Sequence, residues 1–83
     1  MDIPKLGEGK FALILANFET GIILNINGSY FLGDDNIHYI AMNSEQAAID
    51  RAREIVESAG NIEIMIYNGT GELMQVVRPT DAV

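Results

Sequence analysis

The 83-residue chain has no cysteine, no tryptophan, two prolines, one histidine and only five basic residues. Without cysteine it can build no disulfide framework, thiolate metal site or cysteine nucleophile, so nothing in it calls for an oxidising compartment. Five Lys and Arg against twelve Asp and Glu give a net charge of −7. Nucleic acid and anionic lipid, which are bound mainly through Lys and Arg, are therefore poor partners. The longest apolar run, residues 11–16, is far shorter than the roughly 20 residues a membrane-spanning helix needs. The opening Met1-Asp2-Ile3-Pro4-Lys5 lacks a basic stretch followed by an apolar one, so no signal peptide is read and the cytoplasm is the expected location.

What is present is the composition of a folded domain, 48% hydrophobic and 20% charged, with enough apolar surface to offset the entropy of ordering. The expectation is one domain over residues 1–83, with residues 1 to about 9 and 79–83 loose. A chain this short buries only about 60–65% of the surface it exposes when unfolded, which makes dimerisation a useful source of stability.

The apolar pattern changes period along the chain. Residues 11–18 are apolar on both alternating faces, as in an interior strand, with Phe18 on the same side as Ala12, Ile14 and Ala16. Glu19-Thr20-Gly21 supplies a turn and residues 22–26 a returning strand. Asn27-Gly28, favoured in tight hairpin turns, sends residues 29–32 back, and Gly33-Asp34-Asp35-Asn36 leads to an extended segment over 37–41. A helix begins at Asn43 or Ser44, where Asn43 with Gln46 would form a capping box. Its apolar stripe is Ala48, Ala52, Ile55 and Ala59 with Ile49 and Val56, its charged side pairs Arg53 with Glu57 and Asp50 with Arg53, and Gly60 closes it in the left-handed region. Ile62, Ile64 and Ile66 alternate with Glu63, Met65 and Tyr67, Asn68-Gly69-Thr70-Gly71 turns, and residues 73–77 return before Arg78-Pro79. The order β-β-β(β)-α-β-β predicts an α+β fold, an antiparallel sheet of about five strands with one helix packed on one face. One helix cannot cover both faces, so the second face, or an edge strand, is a candidate homodimer interface.

Several patterns invite a chemical reading that their spacing does not support. Gly7-Glu8-Gly9-Lys10 is not a phosphate loop, since Pro4 and Phe11 stand where that motif needs Gly and Ser or Thr. Ser29, His38 and Asp34 or Asp35 supply the residue types of a hydrolytic triad without the Gly-x-Ser-x-Gly elbow. His38 is the single side chain with an unperturbed pKa near neutrality. It anchors the competing reading of a small enzyme or ligand binder centred on His38 and the neighbouring carboxylates. The spacing of His38, Asp34 and Asp35 matches neither a calcium loop nor a zinc motif, so no metal or other cofactor is expected. Asn27-Gly28-Ser29 and Asn68-Gly69-Thr70 are formal glycosylation acceptors fully explained by their turn chemistry.

The most unusual feature is the span between Lys10 and Arg51, which holds Glu19, Asp34, Asp35, Glu45 and Asp50 but no basic residue. Excess acid keeps a small protein dispersed, and it also steers a basic partner into fast, salt-dependent association. Tyr30, Phe31, Tyr39 and Tyr67 lie on expected strands, where each either packs in the chain's own core or meets a partner. The reading is a non-enzymatic protein-interaction domain that binds a basic protein through Glu19, Asp34, Asp35 and Tyr39. A self-associating structural or accessory module is the second reading.

Two segments carry a resemblance. The stretch from Asn43 to Leu73, with Ser44 four residues before Ala48, the pair Ala52-Arg53 and the hairpin Gly71-Glu72-Leu73, resembles short bacterial proteins of unknown function with a helix, a strand and a hairpin. Asn17-Phe18-Glu19-Thr20-Gly21 is similar to a strand and turn in small acidic bacterial proteins, some of which look like immunity proteins against antibacterial toxins. The resemblance implies a bacterial source and an inhibitory role, and it brings no catalytic residues.

Overall fold

A computed structural model of the chain describes residues 5–24 and 39–79. They form β1 (Phe11–Asn17), β2 (Ile23–Leu24), β3 (Tyr39–Met42), α1 (Glu45–Ser58), β4 (Ile62–Asn68) and β5 (Leu73–Val77). The fold is α+β, a five-stranded antiparallel sheet with one helix against it. The expected strand over 29–32, and residues 25–26 and 37–38 of two others, lie outside the described residues.

β1 is paired along both edges, and it carries apolar side chains on both faces as an interior strand does. Its whole length pairs with β4, from Phe11 opposite Asn68 to Asn17 opposite Ile62. On its other edge two short strands abut: β3 sets Tyr39 opposite Ile14 and Met42 opposite Phe11, and β2 sets Leu24 opposite Leu15 and Ile23 opposite Ala16. β5 pairs with β4 and forms the outer edge on that side.

The register divides the side chains into two layers. Leu13, Leu15, Leu24, Ile62, Ile64, Ile66 and Val77 face α1 and, with its buried Ala48, Ala52 and Val56, make the core. The alanines let the helix axis come close to the sheet, and Ile49, Ile55 and Ala59 seal the flanks. On the opposite face Ala12, Ile14 and Ala16 are also buried. Their cross-strand neighbours there are Tyr67 and Ala41 beside Ala12, Met65 and Tyr39 beside Ile14, and Glu63 and Ile23 beside Ala16.

The helix ends match the sequence expectation in part. Ser44 is the N-cap, its Oγ accepting from Ala47 N–H at 3.1 Å. The Asn43–Gln46 capping box does not form: Asn43 Oδ1 accepts from Lys10 Nζ at 2.7 Å and Gln46 Nε2 donates to Asp50 Oδ1 at 2.8 Å. Glu54 is paired with Arg51 at 2.8 Å, the i,i+3 geometry holding Arg51 rather than Arg53 in the surface pair. Ala59, with φ −135°, caps the C-terminus by donating to Ile55 O at 2.9 Å, and Gly60 is not left-handed. Ser44→Ala is expected to cost about 1 kcal/mol in thermal unfolding, the usual loss when a serine cap leaves its N–H groups to water.

Candidate interaction site

Asn17 ends β1, and its side chain organises the turn that follows. Asn17 Oδ1 accepts from Glu19 N–H at 2.9 Å and Thr20 N–H at 3.1 Å, and Asn17 O accepts from Gly21 N–H at 2.8 Å. Asn17 N–H donates to Ile22 O at 2.8 Å, Ile22 N–H to Thr20 Oγ1 at 3.3 Å, and Phe18 N–H across to Asn61 O at 2.7 Å. Every backbone N–H from residue 17 to 22 is thus accounted for within the protein. Gly21, with φ +74°, takes the one left-handed position the turn requires.

The turn presents apolar side chains to solvent. Phe18 is 38% and Ile22 43% exposed, flanking the exposed carboxylate of Glu19. The sequence expectation placed Phe18 inside a strand. The strand instead stops at Asn17: Phe18 N–H still reaches across to Asn61 O, but the Asn17 side chain captures the amides of Glu19 and Thr20 and turns the chain away.

The bond from Phe18 to Asn61 also fastens the turn beside the connection between α1 and β4. The C-terminal end of α1 therefore lies at the same end of the domain. That end carries the exposed Glu57, and the last turn of the helix itself holds no basic residue. Glu63, next to this end on β4, faces Arg78 at 3.5 Å.

No family model, curated protein or solved structure matches this chain.

Of the residues singled out from sequence, Glu19 lies in the turn just described. Tyr39 lies opposite Ile14 on β3, about 10 Å along the sheet from Asn17 at the usual rise of a strand. Asp34, Asp35 and His38 lie outside the described residues. Phe18 and Ile22 were missed, and the signal that could have found them was Asn17 four residues before Gly21, a turn pattern that cuts an apolar run short.

The glycine-rich lead-in has a different role from the phosphate loop it superficially suggests. Gly7 N–H donates to Gly69 O at 3.1 Å, and Lys10 ties the segment to Asn43 at the start of α1. Beside it Glu8, Gly9, Lys10, Phe11 and the 68–70 turn line an open depression of about 370 Å³. Asn68 Oδ1 fixes that turn by accepting from Thr70 N–H at 3.0 Å, Thr70 Oγ1 at 2.8 Å and Glu72 N–H at 2.9 Å. Among the described residues, no group of three or more His, Cys, Asp or Glu is arranged to hold a metal ion. No helix among them is long and apolar enough to cross a membrane.

Proposed function

We propose that the chain is a non-enzymatic, acidic protein-interaction domain that docks on a basic protein through the 17–22 turn, in the manner of an inhibitor or immunity-type partner. The observation that carries this reading is the turn itself: fully hydrogen-bonded, yet displaying Phe18 and Ile22 beside Glu19. A turn already held in one conformation loses little entropy on binding, which is how a small surface gains affinity.

The two kinds of side chain have separate tasks. An exposed ion pair contributes about 0–1 kcal/mol, so Glu19 alone cannot hold a complex. Fully burying a large apolar side chain contributes about 1.5–3 kcal/mol, so Phe18 and Ile22 supply the affinity even though each is already partly covered. The net charge of −7 raises the encounter rate with a basic surface.

The test is capture from host lysate at low salt by the tagged chain, with the Phe18→Ser and Glu19→Lys chains in parallel. A basic protein should elute from the native chain when salt is raised. Phe18→Ser should weaken its retention by about 5- to 30-fold, equivalent to 1–2 kcal/mol. Equal retention by both variants would remove the turn from the account, and recovery of the chain alone would remove the basic partner.

A further inference from the structure

The outer edge of β5 offers a second association surface, separate from the 17–22 turn. Among the described residues β5 pairs with β4 alone, which leaves its other edge without a neighbouring strand. Residues 73–77, Leu-Met-Gln-Val-Val, include no charge and no proline in a chain of net charge −7. Leu73 and Met74 are 53% and 50% exposed. Edge strands in soluble proteins are usually guarded by charge or proline against pairing with another strand. The one guard here is a bulge: Ile66 faces Gln75 and Tyr67 faces Leu73, so Met74 is left without a partner.

We propose that β5 is a self-pairing edge, along which two copies of this chain join their sheets antiparallel. The charges flanking the strand favour that occupant. Glu72 precedes β5 and Arg78 follows it, both exposed, and Arg78, which already faces Glu63 at 3.5 Å, has further N–H donors with which to meet a second carboxylate. An antiparallel copy brings the Glu72 end of each strand alongside the Arg78 end of the other, whereas a parallel copy would set like charges together. The missing N–H of Pro79 bounds the pairing window at its C-terminal end. Setting Glu72 of each copy opposite Arg78 of the other places the two-fold axis at Gln75, with Leu73 opposite Val77 and Met74 opposite Val76 of the second copy.

Strands this short bury less than the roughly 1,200 Å² at which stable interfaces begin, so the dimer forms in a concentration-dependent way. Its salt dependence is opposite to that of a basic partner. Two chains of −7 repel one another over long distances, and salt screens that repulsion more than it screens the two short-range Glu72–Arg78 contacts. Self-pairing therefore strengthens as salt rises, and failure of one association leaves the other standing.

Sedimentation equilibrium of the native chain over a concentration series, at low and high salt, is the experiment. The average mass should rise toward that of two chains, with a lower dissociation constant at high salt. Leu73→Lys with Met74→Lys, at positions already about half exposed, should stay folded by circular dichroism and remain monomeric. Glu72→Lys should weaken the dimer at low salt even though it lowers the net negative charge, because lysine then meets the Arg78 end of the other copy. A monomer at every salt and concentration would overturn the proposal. So would a dimer that loosens with salt, survives the double lysine change, or tightens on Glu72→Lys.

Discussion

Ile64→Ala is expected to unfold the domain at temperatures where the native chain is stable, lowering the midpoint of thermal unfolding by roughly 12–24 °C. Ile64 is fully buried at the centre of β4, opposite Leu15 on one side and Val77 on the other, and faces the alanine stripe of α1. Truncating a buried isoleucine removes its transfer energy and leaves a cavity that the neighbours only partly close, a combined loss of about 2–5 kcal/mol. A domain of this length holds about 4–12 kcal/mol in all, so a loss of about 3 kcal/mol is a large share of it. At about 4–8 °C per kcal/mol the stated shift follows. Collapse of α1 onto the gap is resisted because Ala48 and Ala52 already bring the helix as near the sheet as their methyl groups allow. Differential scanning calorimetry measures the midpoint, and a shift below about 5 °C would show that the sheet and helix are not packed as described.

The second large effect is at Gly69, and it contrasts with Gly60. Gly69 is buried beneath the lead-in, and a Cβ built on it would collide with the backbone carbonyl of Gly7. The obstacle is main chain, so Gly69→Ala must either strain the 68–70 turn or push residues 5–10 off it. Displacement would break the bond from Gly7 N–H to Gly69 O and disturb the tie from Lys10 to Asn43. The expected cost is about 1–3 kcal/mol, the usual range for forcing volume into a filled site. At Gly60 nothing lies within 4 Å of an added Cβ, and the backbone is not left-handed. Gly60→Ala is therefore expected to be neutral or to stabilise by about 0.4–1 kcal/mol, by reducing the freedom of the unfolded chain. Urea unfolding of the two variants side by side checks the opposite signs.

Those glycines show where sequence reasoning reaches and where it stops. A run apolar on both faces identified β1, alternation identified β4 and the shift to helical spacing identified α1, because these patterns follow from backbone geometry alone, while β5 was read as the return from the 68–71 turn. The antiparallel hairpin through Asn68-Gly69 was legible from its turn residues. Strand order was not: that β1 and β4 lie side by side, with β2 and β3 sharing one edge of β1, depends on contacts between distant segments that carry no local signature. Gly60 follows a helix and so suggests a left-handed cap, but the chain bends into β4 through Ala59, whose O accepts from Ile62 N–H at 3.1 Å. Gly69 reads as an ordinary turn residue, and only the folded lead-in makes it irreplaceable. The candidate site was half legible. Glu19 stood out by charge, whereas Phe18 was hidden in an apolar run whose end is set by a side-chain bond from Asn17.

The central claim is that the 17–22 turn is preformed in the free protein, and amide hydrogen exchange measured by NMR tests it most directly. Glu19 and Thr20 are exposed, so solvent access alone would let their amides exchange as in an unstructured peptide. If both N–H groups are held by Asn17 Oδ1 as described, they should exchange well below that rate in the free chain, and Asn17→Ala should abolish the protection while leaving the amides of β4 protected. Exchange of Glu19 and Thr20 at unstructured rates in the native chain would contradict the account, because the turn would then have to be ordered at the expense of binding.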